Sequence, residues 1–95
     1  MISKEQIRGA RAMLGLSPED LAGASGLSTN EVLAAERGET AGIDLYRLRL
    51  ALEGRGIVFL GAGEDDAGAG PGLRLRQPPM DEGIRPENLS SANDG

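Results

Sequence analysis

The sequence predicts a mostly α-helical domain of four to five short helices, followed by a short β-hairpin or dimerising strands and an acidic tail. Three observations carry this reading. Helix-start residues Ser3, Ser17, Ser28 and Asp44 each precede apolar positions spaced three and four apart, and glycine closes each run. After Gly56 the pattern changes: GIVFL is β-branched and aromatic, and LRLR alternates with period two. From residue 77 onward prolines, acids and small polar residues dominate, with little to bury. The expected division is a helical part over 1–56, a two-strand extension over 57–76 and a flexible or partner-ordered tail over 77–95.

The first helix is expected over 3–14. Ser3 caps it, Gln6 stands three residues on, Ile7, Ala10 and Leu14 form one stripe, and Gly15 ends it. Ser17 starts the second, with Pro18 at a position where its missing N–H costs nothing and Glu19 and Asp20 in the electropositive first turn. Leu21, Ala22 and Ala24 supply small apolar packing, and Gly26 stops it. Ser28 and Glu31 form a capping box for the third helix, followed by Val32, Leu33 and Ala35, and Gly38 closes it. The fourth is expected over 44–53, with Asp44 as cap, Ile43 as staple, and Leu45, Leu48 and Leu52 as its stripe. Helices this short hold only when packed on one another.

Composition narrows the function classes. The 95 residues contain neither cysteine nor histidine, which removes disulfides, thiolate chemistry, the usual neutral-pH proton shuttle and the ligands of most zinc sites. No nucleophile–base set is recognisable, so the chain reads as a non-enzyme without cofactors or metal. Glu64-Asp65-Asp66 does not match the spacing of a calcium loop, and GAGEDDAGAG lacks the Lys-Ser/Thr of a phosphate loop. The opening MISKEQIRGARAML has no long apolar stretch, and no eighteen-residue apolar run exists, so a cytoplasmic protein without a membrane partner is expected. Net charge is −5, distributed unevenly: residues 1–60 carry seven basic and eight acidic groups, residues 61–95 three and seven.

The joint between the second and third helices is the informative feature. A helix ending at Gly26, one step at Leu27 and a new cap at Ser28 describe a tight helix–turn–helix. In DNA-binding versions of that joint the second helix stands clear of the core, its N-terminal half enters the major groove, and free N–H groups at both helix starts receive phosphates.

On IRGARAMLGLSPEDLAGASGLSTNEVLAAERG, residues 7–38, the sequence resembles the XRE/Cro-like helix-turn-helix family, the phage-repressor or lambda-repressor-like type of DNA-binding regulator. The matching positions are Gly15-Leu16-Ser17, Leu21-Ala22, Gly26-Leu27-Ser28, Val32 and Glu36-Arg37-Gly38. GIVFLG…GPGLRLR is similar to a short extension that follows such domains in some bacterial members. The resemblance implies that Thr29, Asn30 and Ala34 face the groove, with Asn30 able to pair bidentately with adenine and Ala34 limited to a thymine methyl. It implies a structural ion pair between Arg11 and Glu36, and phosphate contacts from Lys4, Arg8 and Arg37, joined by Ser17 and Ser28 at the helix starts. Arg37 has an alternative role as a solvated cation suited to the dipole of its helix end.

Two positions depart from the family pattern. Pro18 replaces a glutamine that reaches phosphate, and Glu31 stands where a small hydroxyl residue is usual. One copy is therefore expected to bind double-stranded DNA weakly, and a homodimer to bind it better. Ile57, Val58, Phe59, Leu60, Leu73 and Leu75 are the dimerisation candidates, the alternative being an intramolecular hairpin over the helical core. The acidic balance also keeps open a protein-interaction module on the same scaffold, one that binds RNA polymerase or another regulator. Residues 86–89 are the part of the tail that could form a helical turn on such a partner.

Overall fold

The computed structural model describes residues 1–64 and 66–76. The expectations for the tail, 77–95, lie outside the described residues. Four helices and one antiparallel strand pair are present: α1 (Lys4–Leu14), α2 (Pro18–Ser25), α3 (Thr29–Glu36), α4 (Leu45–Glu53), β1 (Ile57–Leu60) and β2 (Gly72–Leu75).

Each of the first three helices starts with the same reciprocal device. The hydroxyls of Ser3, Ser17 and Ser28 accept from the N–H groups of Gln6, Asp20 and Glu31, whose side chains in turn accept from the serine N–H. Two of the first-turn groups that a helix leaves without a partner are thereby satisfied from within the chain. Asp44 caps α4 by accepting from Tyr46 N–H at 3.1 Å.

One core draws its buried side chains from every element except β2, whose half-buried Leu73 packs against it. Ile7 and Ala10 of α1, Leu21 and Ala22 of α2, Val32 and Ala35 of α3, and Leu48 and Leu52 of α4 meet there. Ile57 and Phe59 of β1 join them, so the expected boundary between 56 and 57 does not separate two cores. The reason lies in the pleat: alternate residues of β1 point to one face, and both of that face's large side chains cover the helices.

The strands pair within the chain, in the register Ile57↔Leu75, Val58↔Arg74, Phe59↔Leu73 and Leu60↔Gly72. Arg76 N–H closes the open end of the hairpin on Gly56 O at 2.6 Å. Of the six dimerisation candidates, Ile57 and Phe59 are therefore committed to their own protomer. Val58, Leu60 and Leu73 are half-buried, with Leu73 lying over Gly9 of α1. Leu75 shares the core-facing side with Leu73, yet it is 46% exposed.

The side chain of Gln6 joins the hairpin to the helices. Its amide nitrogen donates to Leu60 O at 3.1 Å and to Gly72 O at 2.9 Å, while its oxygen accepts from Ser3 N–H at 2.9 Å. Both donors and the acceptor of this buried amide are used. A second link is the Arg49 guanidinium, 5.9 Å from the centroid of Phe59. Replacing Gln6 by alanine leaves two carbonyls and a serine N–H short of a partner. Gln6→Ala is expected to cost about 2–3 kcal/mol in urea unfolding, with hydrogen exchange accelerating in β1 and β2 more than in α3.

Candidate nucleic-acid interface

The turn from α2 to α3 is held by local bonds. Gly26 adopts φ 77°, a left-handed conformation that any Cβ would strain, and its N–H donates to Ala22 O at 3.0 Å. The buried Ser25 hydroxyl accepts from Leu27 N–H at 3.4 Å and lies 3.3 Å from Ala22 O. Leu27 packs against the core, and Ser28 opens α3 directly afterwards.

Burial divides α3 lengthwise. Val32, Ala35 and Glu36 face inward. Asn30, Leu33 and Arg37 are exposed, and Ala34 and Thr29 are half-exposed. Residues 30, 33, 34 and 37 make one i, i+3, i+4, i+7 stripe, so the outward face is continuous over both turns. Two of the residues expected in the groove, Asn30 and Ala34, lie on it, and Thr29 stands at its edge. Leu33 stands between them, 36% exposed, and adds an apolar group to that face.

The inward face carries one charge. Glu36, its side chain 7% exposed, accepts from Arg11 Nε at 2.6 Å and Nη2 at 3.0 Å, and Arg11 Nη1 reaches Leu16 O at 3.1 Å. The hydrogen bond to Glu36 raises the guanidinium above its ordinary pKa, against the opposing effect of burial. This fork ties the end of α1, the α1–α2 turn and the end of α3 together.

Cations gather at the same end. The Lys4 side chain lies against Gly38, its Cδ 3.2 Å from where a Cβ would stand, so Lys4 and Arg11 both bring α1 to the C-terminal half of α3. Arg8 is exposed and sits between them on the 4, 8, 11 stripe. Arg37 completes the group, but its guanidinium is engaged by Glu39, 2.9 Å from Nη2. That hydrogen bond raises Arg37 and lowers Glu39 from their usual pKa values. Glu39, two residues beyond Arg37, was not singled out in the sequence.

The helix starts are different. Ser17 N–H and Ser28 N–H point to Asp20 Oδ2 at 3.0 Å and Glu31 Oε1 at 2.9 Å, not to open solvent. Each serine hydroxyl accepts from the N–H three residues on and stands beside a carboxylate. The bond from Ser17 N–H, with one from its hydroxyl, holds the Asp20 carboxyl below its usual range. Among the described residues no group of three or more acids could hold a metal ion, and no helix is long and apolar enough to cross a membrane.

Two expectations follow for stability. Arg11→Ala strands the more deeply buried partner, Glu36, and should cost about 3–4 kcal/mol in urea unfolding. Glu36→Ala should cost less, because Arg11 retains access to water, and the apolar double replacement Arg11→Met/Glu36→Leu should recover most of the loss. Asp20 and Glu39 have lowered folded-state pKa values, so their contribution is complete above the unfolded carboxylate range, near pH ~4, and is lost as pH falls through the folded values. Thermal melts should be flat from neutrality to about pH 5 and fall below it, and Asp20→Asn should flatten part of that fall.

No family model matches the chain, and a search of the curated proteins finds no match.

Proposed function

We propose that this protein is a sequence-specific, double-stranded DNA-binding transcriptional regulator that acts as a homodimer, with α2 and α3 as its helix–turn–helix and α3 as the reading helix. The observation that carries the proposal is the outward stripe of α3, held away from the core by a buried ion pair on its opposite face. Eight residues give a helix ~12 Å long, comparable to the ~12 Å width of the major groove. In this reading Asn30 is the base reader, Thr29 a second polar contact, and Ala34 with Leu33 an apolar surface for thymine methyl groups.

Lys4 and Arg8 flank the C-terminal half of α3 and supply phosphate contacts. Arg37 joins them by exchanging Glu39 for a phosphate oxygen. Asp20 and Glu31 already neutralise the two helix starts and repel phosphate there, so a single protomer has few charge contacts. A second copy, meeting the first through the exposed parts of the hairpin such as Leu75, would double them across two half-sites.

Selection from a random duplex library, followed by anisotropy titrations over a range of salt, tests the proposal. Asn30→Ala should lose about 1–3 kcal/mol of discrimination at one A·T pair. Arg8→Ala should weaken every duplex alike and reduce the slope of log K against log salt by about 1. Absence of duplex binding at low salt up to high micromolar protein would end this reading. A protein-interaction module, binding RNA polymerase or another regulator, is the second reading. It is favoured by the carboxylates on both helix starts, and its mark is a stable protein partner whose capture the Asn30→Ala variant leaves unchanged.

A further inference from the structure

The chain reverses sharply at the end of α3. Arg37 is the last residue with helical backbone, and Gly38 follows with φ 85°. Gly38 N–H donates to Ala35 O at 3.0 Å and Glu39 N–H to Ala34 O at 2.9 Å, which folds residue 39 back over the last turn. The Glu39 carboxylate is thereby delivered to Arg37, where Oε1 accepts from Nε at 3.2 Å and from Nη2 at 2.9 Å. Lys4 closes the same corner. Its Cδ and Nζ lie 3.2 and 4.0 Å from where a Cβ on Gly38 would stand, so its ammonium is beside the residue that joins Arg37 to Glu39.

This pair differs from the other arginine–glutamate pair of α3. Arg11 binds both oxygens of a carboxylate that is 7% exposed, and it fixes the helix. The side chains of Arg37 and Glu39 are 57% and 66% exposed, and only one carboxylate oxygen is engaged. An exposed pair of this kind holds by a factor of at most about five. A guanidinium fork accepts a carboxylate and a phosphate in the same geometry. A phosphate approaching Arg37 must therefore displace Glu39, and the exchange is easy without being free.

We propose that Glu39 limits the affinity of this surface for phosphate: in the free protein its carboxylate occupies the fork of Arg37 and competes there with phosphate oxygens. The inference deepens the DNA-binding reading, and rests on it for nucleic acid as the source of those oxygens. Arg37 lies on the stripe of Asn30 but does not read bases, so Glu39 lowers affinity for every duplex alike and leaves sequence preference untouched.

Two titrations of the full-length protein at matched ionic strength test this. In the first, inorganic pyrophosphate is added while the Arg37 Nε–H signal is followed by NMR. Glu39→Gln should bind it about three- to five-fold more tightly than the wild type, and Arg37→Ala/Glu39→Gln no more tightly than Arg37→Ala, followed through backbone amides at residues 36–40. No gain from Glu39→Gln, or an equal gain in the Arg37→Ala background, where only net charge changes, would overturn the proposal. In the second, duplexes replace pyrophosphate. Glu39→Gln should tighten all of them by a similar factor and steepen the slope of log K against log salt by up to about 1, with discrimination at the base pair read by Asn30 unchanged. If pyrophosphate responds as expected and no duplex binds at low salt, the competition at Arg37 stands and the DNA-binding reading falls.

Discussion

The orientation of α3 depends on the fork between Arg11 and Glu36. A helix of two turns has no stability of its own and takes whatever position its buried side chains permit. Val32 and Ala35 hold it to the core, but apolar contact is not directional and would tolerate rotation about the helix axis. Two charge-assisted bonds at 2.6 and 3.0 Å do not. Burying this pair adds little net stability, since the desolvation of both ions offsets most of their attraction. Its effect is on geometry: with Glu36 pinned inward, Asn30, Leu33, Ala34 and Arg37 must face out.

Charge is arranged around that helix as a gradient. Acids close the starts of α2 and α3, while Lys4, Arg8 and Arg37 collect near the end of α3. On the proposed reading such a field orients a polyanion along α3 more than it attracts one, because repulsion and attraction act at opposite ends of a helix about 12 Å long. Under that proposal, a near-neutral domain with a local cation cluster suits recognition by shape and by pairing of copies. It fits poorly with a protein that coats nucleic acid non-specifically.

Most of the helical architecture is legible in the sequence because its determinants are local. Ser3, Ser17 and Ser28 act within three residues, and Gly26 can be recognised from the conformation a tight joint requires. The features that escape are the long-range ones. Gln6 reads as a capping residue, and its two bonds to the hairpin, more than fifty residues away, have no local sign. Alternation in GIVFL identifies a strand but not the occupant of its apolar face, so Ile57 and Phe59 look as fit for a partner as for their own core. Arg37 illustrates a third limit: its charge is visible, while its engagement by Glu39 depends on how the chain turns after α3.

Because Ile57 and Phe59 complete the helical core, the hairpin is part of the folding unit and cannot move independently of α3. Small domains bury a limited fraction of their surface, and losing one apolar wall would leave these helices short of stabilisation. The link has a geometric consequence. Gln6 and Leu73 fasten β2 to one side of α1, while Arg11 and Lys4 fasten α3 to another. α1 is thus a rigid spacer between the hairpin and the outward face of α3. If two copies meet through their hairpins, the separation of their α3 helices is set by the width of α1 and its contacts, not by a linker. On the proposed DNA-binding reading such an assembly would accept only one half-site spacing, and a strand pair built into the core would act as the ruler for the site.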